Sequence, residues 1–241
     1  MVIRKVLVLG ATGMLGRSIL AEARRRKLDA LGVAREESDI LCDISNKEAI
    51  EKVAEKQKPD LVVNCAALSD VEACETSPSI AWLLNARVPA LLAEASLASN
   101  FCLIQISTDQ YYSGHADIPH TESEPVRPLN EYARTKYGGE AGALTAPRTL
   151  VVRTNIVGFG QRHGSNLAEW ATRVIEEDSP ATLFTDAFVS SIDCPSLASI
   201  LFDLLEHKVT GVINVASSEV FSKNDLIRGL AAAMGRTLTQ A

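Results

Sequence analysis

Short runs rich in β-branched residues alternate with longer segments of helical periodicity over the first two thirds of this chain. The runs predict strands near residues 5–10, 30–34, 60–66, 101–107 and 149–154. The segments between them predict helices at residues 14–26, 46–57, 79–98 and 130–143. This alternation is typical of βαβ units, in which helices bury both faces of a parallel sheet. The expected fold class is therefore α/β, with a Rossmann-like, doubly wound parallel sheet.

Three glycines separate the first predicted strand from the first predicted helix, in the stretch VLVLGATGMLGRSIL. Gly10 permits a tight turn, Gly13 lets the backbone approach a pyrophosphate, and Gly16 allows close packing of the helix on the sheet. The helix N-terminus adds unpaired N–H groups and a positive dipole end. The loop therefore predicts a dinucleotide site. Its expected contacts are Gly10, Thr12, Gly13, Met14, Leu15 and Gly16.

The pattern loosens after Thr154, where the predicted elements become shorter. They are helices at 166–177 and 196–206, strands at 181–184 and 211–216, and a final helix. We expect residues 1–154 to form the dinucleotide-binding Rossmann domain. Residues 155–241 are expected to form a small C-terminal substrate-binding cap, partly interleaved with the first domain.

Charge and composition limit the partners that the chain can bind. The 241 residues are 46% apolar, which is enough to bury a large core. The net charge is −6 and the longest basic run is Arg24 to Lys27, so neither nucleic-acid nor membrane partners are expected. No apolar stretch approaches the ~20 residues of a membrane span, which predicts a soluble, cytoplasmic protein. A small molecule is the expected partner.

The cysteines show no disulfide or metal-binding pattern. Their number is odd, they lie far apart, and none belongs to a C-x-x-C motif or a Cys/His cluster. This spacing predicts core thiols in a reducing compartment, and no metal site is expected. The five are Cys42, Cys65, Cys74, Cys102 and Cys194.

The end of the second predicted strand bears on which dinucleotide is bound. Enzymes that use NAD usually present an acid there to the ribose hydroxyls, but this chain has Ala34 followed by Arg35. A guanidinium suits a 2′-phosphate, so NADPH is favoured. NADH stays an alternative, because Glu36 would take the place of the acid if the strand register were shifted by two residues.

A hydroxyl, a phenol and an ammonium follow in an order that suggests carbonyl reduction. The strand FCLIQIS ends in Ser107, Thr108 and Asp109, and Tyr132 and Lys136 lie four residues apart on the next predicted helix. Thr108 would hydrogen-bond a carbonyl oxygen, and Tyr132 would protonate it. Lys136, with the positive charge that develops on the nicotinamide, would lower the pKa of the phenol toward neutrality.

The chain resembles the extended short-chain dehydrogenase/reductases, and within them it is most similar to the dTDP-4-dehydrorhamnose reductase group. The matching stretches lie in family order across about residues 3 to 155, and the C-terminal region matches more loosely through SSID, GVINVAS and FSKNDLI. The resemblance implies NADPH-dependent reduction of the 4-keto group of a nucleotide-linked 6-deoxysugar. The matching stretches are GATGMLG, CDIS, PDLVVNCAA, VEACE, LLNA, ISTD, PLNEYARTKYGGE and VVRTN.

Individual roles follow from the resemblance, position by position. Thr108, Tyr132 and Lys136 match the catalytic triad, and the last two also match cofactor contacts. Further matches to cofactor contacts are Asp43 and Ile44 at the adenine, then Cys65, Ala66, Ala67 and Asn85. The expected substrate contacts are Ser107, Thr108, Asp109, Thr154 and Asn155.

Two departures from the group stand out. The tyrosine usual after serine-threonine-aspartate is replaced by Gln110, with Tyr111 and Tyr112 displaced beyond it. This replacement leaves the sugar contacts open. The chain also ends at Ala241, earlier than we expect for the group, so part of the usual cap is expected to be missing or reduced.

Three other functions compete with simple reduction. A dehydratase would need an acid and a base beside Thr108, but Asp109 is followed by Gln110 rather than glutamate. An epimerase would need a cysteine and a histidine beside the ketone, and Cys102 lies five residues back on the strand with no histidine obviously placed. A non-catalytic, dinucleotide-binding regulatory subunit is the third. For oligomeric state, a homodimer is the default expectation.

Overall fold

A seven-stranded sheet lies at the centre of the computed structural model, which describes residues 2–112, 119–160, 167–183, 185 and 188–238. Every pair of neighbouring strands in this sheet is parallel, and the order is β10-β6-β5-β4-β1-β2-β3. The strands of the described residues are β1 (Lys5–Leu9), β2 (Asp29–Ala34), β3 (Ile40–Leu41), β4 (Leu61–Asn64), β5 (Cys102–Ile106), β6 (Thr149–Arg153), β7 (Ile156–Val157), β8 (Phe188–Val189), β9 (Ile192–Asp193), β10 (Gly211–Asn214) and β11 (Phe221–Ser222).

The strand order reverses direction between β1 and β4. From β1 the chain moves outward to β2 and β3, and it then returns to β4 on the other side of β1. In an open parallel sheet this reversal opens a crevice at the carboxyl ends of the strands, where ligands bind. The expected α/β fold with a doubly wound parallel sheet is confirmed.

Helices cover both faces of the sheet. A π-helical turn, Leu83–Arg87, lies between two of them. The helices are α1 (Met14–Arg25), α2 (Lys47–Gln57), α3 (Val71–Thr76), α4 (Pro78–Trp82), α5 (Val88–Ser99), α6 (Glu131–Ala143), α7 (Leu167–Glu177), α8 (Cys194–Glu206) and α9 (Lys223–Ala233).

Successive residues of each strand enter opposite cores, as the period of two requires. On β1, Val6 and Val8 pack with α1 and α8, whereas Leu7 and Leu9 pack toward α2 and α5. We call the core on the side of α1 and α8 the first core and the core on the side of α2 and α5 the second core. Each core extends beneath several strands. The strands are consequently apolar on both faces, which explains why they read as uninterrupted apolar runs in the sequence.

The region after residue 154 contributes to the sheet layers as well as to a smaller unit. Strand β10 extends the sheet beside β6, and α8 packs on α1. Helices α7 and α9 form a separate small core around Ala171, Ile175, Ile227 and Ala231. The division at residue 154 remains a prediction.

Three details differ from the sequence-based expectation. The helix expected at 79–98 is divided into α4, the π-helical turn and α5. Residues 181–183, within the expected strand 181–184, have no strand conformation, and Phe184 lies outside the described residues. The expected strand at 211–216 ends at Asn214. Two short strand pairs occur in this region instead: β7 pairs with β9, and β8 pairs with β11.

One helical stretch, Pro78–Ser99, is long and apolar enough to span a membrane by length and composition. The expectation that no such stretch exists was therefore wrong. Half of the apolar window is buried within the protein, and α5 packs against both α2 and α6. The stretch thus has the contacts of a core helix, since its apolar side chains complete the second core.

Gly16 should not tolerate a methyl group. A Cβ there would collide with the Gly10 carbonyl oxygen and lie 2.9 Å from the Ala11 Cα, both of which are backbone atoms. We expect Gly16→Ala to lower the free energy of unfolding by about 1–3 kcal/mol, measured by urea denaturation.

Gly229 on α9 provides the matched control, because a Cβ there meets nothing within 4 Å. Gly229→Ala should raise the free energy of unfolding by about 0.5–1 kcal/mol through the lower entropy of alanine in the unfolded chain. Equal stability of Gly16→Ala and the wild type would contradict the assigned packing between the glycine loop and α1.

Candidate active site

The glycine loop adopts the conformation that its sequence predicts. Gly10 has a φ of +73°, and a Cβ there would lie 2.8 Å from the Ala66 nitrogen, so the loops after β1 and β4 are in close contact. Gly13 is exposed and precedes α1 without a side-chain cap. The first turn of α1 carries no acidic residue. A helix start of this kind can receive an anion from solvent.

Arg35 directly follows β2 and is exposed at the same edge of the sheet. Asp43 faces it from beyond β3 and accepts hydrogen bonds from the Ser45 hydroxyl and backbone N–H, at 2.8 and 3.0 Å. These bonds hold the pKa of Asp43 below its usual value, and Arg35 adds to the effect. Ile44 is half-buried against the second core. Glu36 lies one residue farther from the strand than Arg35.

The loop after β4 passes beside the glycine loop and carries Cys65, Ala66 and Ala67. The Cys65 N–H donates to the Leu9 carbonyl at 3.0 Å, and the Ala66 N–H donates to Asn64 Oδ1 at 3.1 Å. Burial raises the pKa of the Cys65 thiol to about 12, so this thiol is inert at neutral pH.

Asn85 anchors the same loop from the π-helical turn. Its Oδ1 accepts from the Leu68 N–H at 2.8 Å, and its Nδ2 donates to the Leu68 carbonyl at 2.9 Å and to Thr135 Oγ1 at 3.1 Å. Its side chain is buried. The structure therefore places this amide as a support between the loop and α6, because both of its ends are engaged within the protein.

Thr108 and Tyr132 meet at the carboxyl edge of the sheet. Thr108 follows β5, and Tyr132 lies in the first turn of α6, which begins after an Asn130 cap whose Oδ1 accepts from the Ala133 N–H at 2.8 Å. Burial raises the pKa of the phenol, and the hydrogen-bonding interaction with Thr108 opposes that rise. The expected lowering of the phenol pKa is absent in the protein alone, because burial and the nearby Asp109 carboxylate outweigh the hydrogen bond with Thr108.

Lys136 reaches the same region from one turn farther along α6. It is buried, and its Nζ donates to the Ile106 carbonyl at 2.7 Å. Burial lowers the pKa of the ammonium to about 8, while the Glu140 carboxylate acts in the opposite direction. The ammonium is therefore mainly charged at neutral pH. The structure thus brings together the three residues expected to act in catalysis.

Asp109 and Asn155 are bound to each other near Tyr132, whose pKa the Asp109 carboxylate raises. The Asn155 Nδ2 donates to Asp109 Oδ1 at 3.2 Å, and its Oδ1 accepts from the Ser191 hydroxyl at 2.6 Å. Burial raises the pKa of Asp109. Thr154, which follows β6, has a buried hydroxyl with no hydrogen-bond partner among the residues that the structure describes. Such a group is costly unless it is satisfied, and a bound ligand could do so.

Ser107 lies beneath the site, and its expected contact with substrate remains a prediction. Its side chain is buried, and its hydroxyl donates to Glu140 Oε1 at 2.6 Å and lies 2.8 Å from the Tyr111 hydroxyl. Tyr111 is fully buried, and Tyr112 binds Arg153 and Asn214. The displaced tyrosines therefore belong to a polar network beneath the site.

Several residues at the site were not found by sequence reasoning. Glu140 and Arg153 form a buried ion pair. His120 and Lys223 lie near Asp109, and their charges lower its pKa, against the effect of burial. The His120 Nδ1 lies 2.6 Å from Glu124 Oε2, and its ring stacks on Tyr112. Of these residues, only Glu140 had a signal in the sequence: it follows Lys136 by four positions and so shares a helix face with the lysine.

No cluster of three potential metal ligands occurs among the residues that the structure describes. Cys102 begins β5, at the opposite end of the strand from Thr108. It therefore lies away from the place where an epimerase would need it.

Replacing Asn85 should loosen the loop after β4. Asn85→Ala leaves the Leu68 N–H and carbonyl without their partner, so we expect the free energy of unfolding to fall by about 1–3 kcal/mol. Hydrogen exchange of the Leu68 amide should accelerate at the same time. Thr135→Val removes only one contact of Asn85 and should have the smaller effect on this amide. Unchanged exchange at Leu68 in Asn85→Ala would refute the anchoring role.

Comparison with known proteins agrees with this geometry and confirms the resemblance seen in the sequence. A dTDP-4-dehydrorhamnose reductase of Salmonella typhimurium is 31% identical over 212 residues, covering 87% of this chain and 68% of that protein. The crystal structure of a dTDP-4-dehydrorhamnose reductase from Clostridium acetobutylicum matches with a TM-score of 0.87 and 27% identity, covering 96% of this chain and 80% of that one.

A dTDP-4-dehydrorhamnose reductase from Bacillus anthracis, solved in complex with NADP, has the same fold, with a TM-score of 0.87 and 23% identity over 99% of this chain and 84% of that one. The family model described as the RmlD substrate binding domain matches residues 4–238. The match spans nearly the whole chain and includes every candidate site residue described above. This chain therefore belongs to the RmlD substrate binding domain family.

Proposed function

We propose that this protein is an NADPH-dependent oxidoreductase that reduces the 4-keto group of a nucleotide-linked 6-deoxysugar. The observation that carries the proposal is the meeting of Thr108, Tyr132 and Lys136 at the carboxyl edge of the sheet, beside the glycine loop. Relatives named dTDP-4-dehydrorhamnose reductase support the substrate class.

The residues at the crevice fit a dinucleotide. The exposed start of α1 would hold the pyrophosphate, and Arg35 would hold a 2′-phosphate. Asp43 and Ile44 would lie on the adenine side, and the loop of residues 65–67 would line the middle of the cofactor. Because β2 ends at Ala34, Arg35 stands nearer the strand end than Glu36, which favours NADPH over NADH. NADPH, when bound, supplies the hydride.

Tyr132 is suited to donate the proton that balances hydride addition. Its raised pKa keeps the phenol protonated at neutral pH, so the proton is available when negative charge develops on the substrate oxygen. Thr108 would hold that oxygen beside the phenol. The charged Lys136 would then stabilise the phenolate left after transfer.

Asp109, Thr154 and Asn155 remain the proposed substrate contacts. The unpartnered Thr154 hydroxyl supports a ligand at this position, and Asn155 fixes the Asp109 carboxyl. Gln110 is exposed where the group usually has a tyrosine, so the sugar specificity is open to difference. Asn85 and Ser107 are proposed to act indirectly, through the backbone that they hold.

The remaining expectations are also proposals. A net charge of −6 supports a small-molecule partner rather than nucleic acid or an anionic membrane, and a cytoplasmic location agrees with it. Exposed apolar side chains on the helices of one face, among them Trp82, Leu97 and Tyr137, offer a surface for a homodimer.

Tyr132→Phe should abolish reduction and preserve cofactor binding. We expect NADPH consumption with nucleotide-linked 4-keto-6-deoxyhexoses to fall by about 10²–10⁴-fold, because the phenylalanine packs like tyrosine but has no proton to donate. Absorbance at the NADPH band measures turnover, and fluorescence titration measures NADPH binding.

Two outcomes would count against the reductase proposal. Full turnover by Tyr132→Phe would remove the phenol from the chemistry. Tight NADPH binding without any turnover by the wild type would favour the regulatory subunit or a different carbonyl substrate.

Arg35→Ala should weaken NADPH binding by roughly 10–100-fold and leave NADH binding nearly unchanged, because a charge-assisted hydrogen bond to the 2′-phosphate contributes about 1.5–3 kcal/mol. Dissociation constants of both cofactors measure the difference. Glu36→Ala is the matched control and should change neither constant. A selective loss of NADH binding in Glu36→Ala would instead assign the ribose contact to Glu36.

A further inference from the structure

Glu140 lies one helical turn after Lys136 on α6 and is buried beneath the site. Arg153, at the end of β6, binds it in two-pronged fashion: Nε donates to Oε1 at 3.0 Å and Nη2 donates to Oε2 at 2.7 Å. The side chains are 2% and 5% exposed. Removing two charges from water is costly, and an apolar pair could fill the same space with equal stability. Stability alone therefore does not explain why a charged pair is buried at this position.

A second partner of Glu140, Ser107, connects it to the strand end that carries Thr108. The Ser107 hydroxyl donates to Glu140 Oε1 at 2.6 Å. Ser107 lies between Ile106, whose carbonyl accepts from Lys136 Nζ at 2.7 Å, and Thr108. One carboxylate thus holds the backbone segment that carries Thr108 and also the carbonyl that binds the lysine.

The charges around Lys136 give Glu140 a second effect. Burial favours the neutral amine, and the Glu140 carboxylate is the largest influence that favours the ammonium. The other titratable groups whose charges act on Lys136 are Cys65 after β4 and Cys74 on α3. Burial raises the pKa of both thiols, so they are neutral at physiological pH.

Arg153 also ties this arrangement to the far edge of the sheet. Its Nη1 donates to the Tyr112 hydroxyl at 2.7 Å, and that hydroxyl donates to Asn214 Oδ1 on β10 at 3.1 Å. The guanidinium lies 5.3 Å from the centre of the Tyr111 ring and 5.6 Å from that of Tyr112. Ser107 and Arg153 therefore bind the carboxylate from the ends of β5 and β6, and Tyr112 in turn fixes Arg153 to β10.

We propose that Glu140 is a positioning residue of the active site: held by Arg153 and Ser107, it keeps Lys136 charged and holds in place the strand end that carries Thr108. The inference rests on the proposed function for the catalytic roles of Lys136 and Thr108. The effect of Glu140 on the charge of Lys136 does not depend on that function, because it is a property of the protein alone and can be measured without turnover.

The test is a titration of the Lys136 side chain in the full chain without cofactor, followed by ¹³Cε NMR. The Lys136 resonance is assigned from its loss in Lys136→Met. In Glu140→Gln the lysine loses a nearby negative charge and faces the unneutralised Arg153. We therefore expect it to titrate at lower pH than in the wild type, by about one unit or more.

Two further variants separate charge from folding. Glu140→Gln/Arg153→Met removes both members of the pair, so it avoids an unpaired buried charge, and Lys136 should still titrate below the wild-type value. Glu131→Gln removes another carboxylate of α6, which binds Arg134 and Trp82 instead, and should leave the titration of Lys136 unchanged.

Turnover then distinguishes the two proposals. If the wild type reduces its substrate, the alkaline limb of the pH–rate profile should move to lower pH in Glu140→Gln by the same amount as the NMR titration. A wild type without turnover would defeat the proposed reductase function, whereas the NMR titration would still decide the role of Glu140. An unchanged Lys136 titration in a folded variant, or unfolding of the double variant, would overturn the inference and leave the pair a structural one.

Discussion

The parallel arrangement of the central sheet is the constraint on which the rest of this molecule depends. Because every strand of that sheet points the same way, the carboxyl ends of β1, β2, β4, β5 and β6 meet at one edge. The glycine loop, the loop after β4, Thr108 and Thr154 are brought together by this geometry alone. Burial on both faces makes the sheet rigid enough to hold them in place.

Polar groups beneath that edge connect the sheet to α6. Asn85 holds the loop after β4 to α6, and Glu140 holds the end of β5 to the same helix. Both lie where Tyr132 and Lys136 emerge from the helix. In a buried setting each unsatisfied polar group is costly, so these contacts restrict the helix to one position relative to the strands. Asn85 and Glu140 thus help to place Tyr132 and Lys136 relative to the strand ends.

Local patterns were enough to predict the fold class, the glycine loop and the pairing of Tyr132 with Lys136. Each depends on neighbours within a few residues, so period and spacing reveal it. Ser107, by contrast, was expected to contact substrate, although its hydroxyl is bound to Glu140 thirty-three positions away. The hydrogen bonds of Asn85 likewise depend on distant segments, since its partners Leu68 and Thr135 come from separate elements, and its expected contact with the cofactor remains a prediction.

The sequence by itself determined the alternation of strands and helices, the turn at Gly10 and the helical spacing of Tyr132, Lys136 and Glu140, because these follow from short-range sterics and hydrogen bonding. Only the tertiary structure decided which buried polar groups meet, and so which side chains support the site and which line it. Burial also shifted the pKa values of Tyr132 and Lys136, because a pKa depends on the solvent and charges around a group, which distant segments of the chain supply.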